Sequence, residues 1–154
     1  MTLKNIRNFQ LKEIKAFSNW GLSLNGFINN EKGEWWLFAQ ITIIILHVIS
    51  PWPTLAYLKS KYIIIPLFLG IIFIVIGVIV SINSLVSLGE SLSPLPSPKT
   101  GSILITTGAY KKCRHPLYKS LIFLSIGIAL YLVSLKHLFL TLILTILLVG
   151  KAKR

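Results

Sequence analysis

The stretch GAYKKCRHPLYKSL, Gly108 to Leu121, decides how the chain is read. It packs a glycine, two tyrosines, Lys111, Lys112, Arg114, Lys119, His115 and Pro116 into fourteen residues. An almost uninterrupted apolar run follows at once. Proline is favoured at the first position of a helix, so a helix is expected to open at Pro116. Arg114 and His115 then stand at its entrance, beside backbone N–H groups that have no partner within the helix. A guanidinium next to a positive helix end is an anion-binding arrangement. Arg114 is suited to a two-pronged grip on a carboxylate or phosphate, and His115 to donating, accepting or titrating. Tyr118 lies four residues from Arg114 and is expected on its side of the helix. Tyr110 offers an aromatic wall for a flat ligand. The plainer reading of the same residues is anchorage: Arg, Lys and Tyr often flank a membrane helix.

The rest of the chain sets that motif in a membrane. Of 154 residues 54% are apolar and 13% charged, and mean hydropathy is +0.75. Soluble domains carry about 25% charged residues. The balance of 16 Lys+Arg against 4 Asp+Glu gives a net charge of +12. Those cations sit beside apolar runs, so they point to topology and anionic lipid rather than to nucleic acid. The single Cys113 excludes an internal disulfide and an all-cysteine metal site. No metal site and no cleavable signal peptide are expected.

Apolar patterning predicts an all-α polytopic membrane protein with about four spans, near 35–50, 62–85, 116–134 and 138–150. A basic amphipathic segment, residues 1–33, precedes them. Within it Leu3 to Trp20 is expected to lie along the interface as a helix, or to be a frayed tail. Residues 34–154 form the transmembrane domain, with a polar loop at 86–115 that holds Pro94, Pro96 and Pro98. SLKH, Ser134 to His137, is expected to be the tight turn of a C-terminal helical hairpin. Counting Lys and Arg on alternate sides gives thirteen against three, so both termini and the 86–115 loop are expected in the cytoplasm. His47 is expected to reach the interface from a short span, and His137 to be solvated in the outer turn. Cys113 and Trp52 are expected to be a spectator thiol and an interface anchor.

LGESLSPLPSPK, then LITTGAYKKCRHPLYKS, then an apolar hairpin, resembles the isoprenylcysteine carboxyl methyltransferase family and its bacterial relatives. The matching residues are Gly108, Tyr110, Arg114, His115, Pro116 and Tyr118, with Ser120 where that family often has glycine. GEWWLFAQ, Gly33 to Gln40, is similar to the entrance of the first span in bacterial members. The resemblance covers about residues 33 to 154. It implies an integral-membrane enzyme that moves a methyl group from S-adenosylmethionine to a lipophilic or prenylated acceptor. It also implies that Arg114 and His115 bind the polar end of that cofactor, that Pro116 and Tyr118 belong to its pocket, and that Gly108 and Tyr110 belong to a loop over it. No catalytic base is implied.

In that family a cytoplasmic segment with adjacent acidic residues follows the last span. Here the sequence ends at KAKR, and its acids are Glu13, Glu31, Glu34 and Glu90. The expectation is either a shortened form of a longer protein or a member that lost part of the pocket. The alternative function is a non-catalytic membrane scaffold or lipid-binding protein of the same fold. A sterol-reductase-type activity is disfavoured, because no glycine-rich dinucleotide fingerprint is present.

Overall fold

The computed structural model describes residues 28–30, 33–49, 63–89, 95 and 104–153. The expected interfacial helix Leu3–Trp20, the Pro51–Pro53 exit with Trp52, and most of the proline-rich loop lie outside the described residues. Four α-helices make up the described part: α1 Glu34–Val48, α2 Ile64–Leu88, α3 Pro116–Tyr131 and α4 Leu135–Lys153. A short 3-10 turn, Gly108–Lys111, precedes α3.

The exposure pattern of α2 is inverted relative to a soluble protein. Gly70, Gly77 and Ser84 are buried, while Phe68 is 65% and Val86 77% exposed. Large apolar side chains turn outward and small ones inward when the surroundings are lipid and helices must approach closely. α2 and α4 are long and apolar enough to cross a membrane, with mean hydropathies of 3.0 and 1.8. α1 and α3, with 15 and 16 residues, fall short of the ~20 residues an upright span requires.

Gly70, Gly77 and Ser84 recur every seven residues, so they form one stripe along α2. That stripe meets Leu124, Gly127 and Tyr131 of α3, running antiparallel. A Cβ on Gly70 would lie 2.6 Å from the Tyr131 nitrogen and 2.8 Å from the Gly127 oxygen, and one on Gly127 would lie 2.8 Å from the Ile74 nitrogen. Side chains of any size would push the two backbones apart. The buried hydroxyls are satisfied locally: Ser84 Oγ donates to the Val80 carbonyl at 2.6 Å and Ser120 Oγ to the Leu117 carbonyl at 2.7 Å. Neither leaves an unpaired polar group in an apolar surround.

The opposite face of α3 packs against α4 and α1. Ile43, Leu140, Leu144 and Leu148 form the apolar core there, with Tyr118, Leu121 and Ile122 against it. α1 runs antiparallel to α4, and the Trp36 ring lies against Gly150. At the start of α1, Asn30 Oδ1 accepts the Trp35 N–H at 3.2 Å, which satisfies one free donor of the first turn.

The hairpin turn differs from the expected SLKH. α3 closes with the Val133 N–H on the Leu130 carbonyl at 3.1 Å and the Ser134 N–H on the Ala129 carbonyl at 3.2 Å. This is a Schellman closure with Val133, rather than glycine, in the left-handed position at φ 45°. The reversal is therefore complete by Ser134, and Lys136 and His137 already belong to α4. His137 is fully buried, so the expectation of a solvated residue was wrong. Likewise α2 runs three residues past the expected end at Leu85. In its Ser-rich last turn Ser84 and Ser87 bond back to carbonyls four residues earlier, so neither hydroxyl diverts a backbone N–H from the helix.

The close approach is testable. Gly127→Ala is expected to lower stability by about 1–3 kcal/mol, the usual range for overpacking, read as a lower apparent Tm in detergent. Val78→Ala on the exposed face of α2 is expected to change it far less.

Candidate functional site

The quoted motif gathers at one end of the bundle, where α3 begins and where α2 and α4 end. Thr107 is extended, and Gly108 then turns at φ 58° into the 3-10 turn. A Cβ on Gly108 would collide with Ser87 Oγ of α2. The same hydroxyl accepts the Ala109 N–H at 3.2 Å, so it ties the turn to α2. Glycine is needed here twice: for the positive φ and for the contact. The Tyr110 N–H donates to the Thr107 carbonyl at 3.1 Å. Burial, with the Cys113 thiol adding to it, pushes the Tyr110 phenol above its ordinary value of 10.0. It therefore remains a hydrogen-bond donor across the neutral range.

His115 is the N-cap of α3 and lies outside the helix, at φ −131° and ψ 58°. Its carbonyl accepts the Lys119 N–H at 3.2 Å. Its ring is swung over Tyr118, with ring centroids 5.2 Å apart and planes 9° from parallel. This departs from the expected pairing of Arg114 with Tyr118. That pairing assumed helical spacing, whereas the backbone at 114 and 115 is not helical. Arg114 and His115 are both exposed, Pro116 is buried, and Tyr118 is half-buried.

Two surfaces result. On the α2 side, Gly108, Cys113, Pro116 and Lys119 line a groove of about 590 Å³ with Asn83 and Ser87. On the α4 side, Tyr118 connects the His115 stack to Lys151, whose Nζ lies 5.5 Å from the Tyr118 ring centre. Lys151 is 4% exposed, and its Nζ donates to Gln40 Oε1 at 2.8 Å. Glu34, at 1% exposure, begins α1 at this same end. A carboxylate in a first turn is favoured by the helix dipole. The six predicted residues thus share one end of the bundle but not one cavity: Gly108 and Pro116 line the groove, and the His115–Tyr118 stack turns toward α4.

The Lys151–Gln40 pair and the burial of Glu34 were not anticipated. Lys151 falls in the KAKR tail and was read only as one of its cations. The available signal was Gln40, a polar residue on a largely apolar helix, since strongly polar groups in such helices tend to face the bundle interior.

These side chains suit a ligand that carries an anionic group and a flat ring. The exposed Arg114 guanidinium and the free N–H groups of α3 suit the anionic group, and the stacked His115 and Tyr118 rings supply a planar aromatic face. Among the described residues no group of three or more His, Cys, Asp or Glu is arranged to hold a metal ion.

Gly108→Ala is expected to detach the 3-10 turn from Ser87 while leaving the four helices in place. Limited proteolysis near residue 108 should accelerate, with unchanged far-UV circular dichroism.

Comparison with known proteins adds one finding. A family model described as phospholipid methyltransferase matches residues 65–153, a range that runs from the start of α2 to the end of α4 and includes the whole motif. No curated protein and no solved structure matches the chain.

Proposed function

The chain belongs to the phospholipid methyltransferase family, and on that premise we propose that it transfers a methyl group from S-adenosylmethionine to a lipophilic acceptor within the membrane. The observation that carries this reading is the stacked His115–Tyr118 pair beside an exposed Arg114, at the mouth of an apolar hairpin. The outward apolar surface of α2 supports an acceptor that arrives through the bilayer. A prenylated carboxylate or the amine of a phospholipid both suit that route. The cation count supports four spans with both ends and the mouth in the cytoplasm, where a soluble cofactor is available.

In this reading Arg114 binds the carboxylate of the cofactor's amino-acid portion, helped by the unpaired N–H groups of α3. The His115–Tyr118 stack forms an aromatic wall. Gly108 lets backbone approach closely, and the protonated Tyr110 phenol donates from the adjoining turn. When bound, S-adenosylmethionine supplies a methyl group on a positively charged sulfur, activated for in-line displacement. The chain's own contribution is to hold the reactants aligned and to exclude water. A carboxylate acceptor is already a nucleophile and requires no general base. An amine acceptor would first have to give up a proton.

The test is binding of radiolabelled S-adenosylmethionine to the chain in detergent. Charge-assisted hydrogen bonds contribute about 1.5–3 kcal/mol each, so Arg114→Ala with His115→Ala is expected to weaken binding by about tenfold or more. Absence of binding to the unaltered chain, or unchanged affinity in the double variant, would overturn the proposal and leave a non-catalytic membrane protein of this fold.

A further inference from the structure

At the opposite end of the bundle, far from Arg114, a chain of hydrogen bonds links three helices. His47 Nδ1 meets the Ile43 carbonyl at 2.8 Å, and His47 Nε2 meets Ser125 Oγ at 2.7 Å. Ser125 Oγ meets Thr141 Oγ1 at 2.6 Å. Thr141 Oγ1 in turn meets the His137 carbonyl at 2.7 Å. Ser125 is 3% and Thr141 6% exposed. The four contacts begin and end on backbone carbonyls, which only accept.

Each contact at these distances requires one proton. Ser125 and Thr141 bring one each, and a neutral imidazole brings one. That makes three protons for four contacts. If the neutral ring spends its proton on Ile43, Ser125 must donate to Nε2. Thr141 then faces two acceptors with one proton, and a 2.6–2.7 Å oxygen–oxygen contact is left with none. If the ring spends its proton on Ser125 instead, the 2.8 Å Nδ1–Ile43 contact is left with none. An imidazolium removes the shortfall. Nδ1–H donates to Ile43, Nε2–H to Ser125, Ser125 to Thr141, and Thr141 to His137, all in one direction.

We propose that the His47–Ser125–Thr141 chain is a proton-binding site, in which His47 carries two protons and fastens α1 to the α3–α4 hairpin. The proton comes from solvent, and its loss opens one contact: Nδ1 with Ile43, or, where Nε2 gives up the proton, Ser125 with Thr141 once the Ser125 hydroxyl reverses. The position suits a cation. His47 lies in the last turn of α1, at the negative end of the helix dipole. Both of its N–H groups find oxygen acceptors, which offsets the cost of removing charge from water.

Neighbouring groups are compatible with that assignment. The His137 ring stands edge-on at 5.5 Å. Its Nε2–H donates to the His47 carbonyl at 3.1 Å, and its Nδ1 accepts from Ser134 Oγ at 3.0 Å, so one proton satisfies it in full. Lys136 donates from its Nζ to the Ile49 carbonyl at 2.8 Å. α2 carries no ionisable residue. On α3, Tyr118 and Lys119 are at the far end and Tyr131 is exposed. Glu34, on α1 itself, lies thirteen residues from His47, about 20 Å along the helix.

The test is nuclear magnetic resonance of the full chain in lipid nanodiscs, with nitrogen-15 in the histidine rings and His47 assigned by the loss of its signals in His47→Gln. At neutral pH the His47 ring is expected to show two protonated nitrogens. Thr141→Val and Ser125→Ala each shorten the chain to one that a neutral ring satisfies, so one of the two protons is expected to be lost. A bare nitrogen on His47 in the unaltered chain would overturn the proposal without recourse to any variant. So would two protons retained in Thr141→Val.

Discussion

The architecture depends on how closely α2 and α3 approach each other. Gly70 and Gly127 bring two backbones so near that a single added carbon would sit under 3 Å from main-chain atoms of the other helix. In lipid, apolar side chains gain nothing by leaving their surroundings, so packing must come from contact density and satisfied polar groups. Small residues in a seven-residue stripe provide both. The seam also fixes where the two helices end relative to one another. That places Ser87 of α2 within reach of Ala109 and holds the glycine turn over the groove.

From that seam the chemistry divides between the two ends of the bundle. One end collects Arg114, His115, Tyr118 and the buried Lys151. The other collects His47, His137, Ser125 and Thr141. Between them lies an apolar core of Ile43, Leu140, Leu144 and Leu148. Buried polar groups are costly in such surroundings and survive where their hydrogen bonds are complete. Both clusters tie α1 to the α3–α4 hairpin: Gln40 bonds Lys151 at one end, and His47 bonds Ser125 at the other. α1 lies outside the family-matched residues 65–153, yet it completes both clusters.

Much of this was legible in the sequence, for identifiable reasons. The first residue of α3 was set by Pro116, whose fixed φ suits N1. α2 was evident from apolar length alone. The hairpin turn was misplaced because Val133 adopts a left-handed conformation that β-branched residues rarely take, so no glycine marked it. His137 followed that error, since a residue assigned to a turn is assumed wet. The His115–Tyr118 stack was hidden because helical spacing says nothing of a ring on a non-helical N-cap. The α2 stripe of Gly70, Gly77 and Ser84 was not read, because equal spacing on one helix does not say which helix packs against it.

The central claim is that the mouth of α3 is where a charged, flat methyl donor binds. The most direct measurement is chemical-shift mapping of the chain in nanodiscs as S-adenosylhomocysteine, the demethylated product, is added. The account predicts saturable shifts in the His115 ring and the Gly108 amide, with the His47 ring unmoved. Shifts confined to other residues, or none at the mouth at saturating ligand, would contradict it.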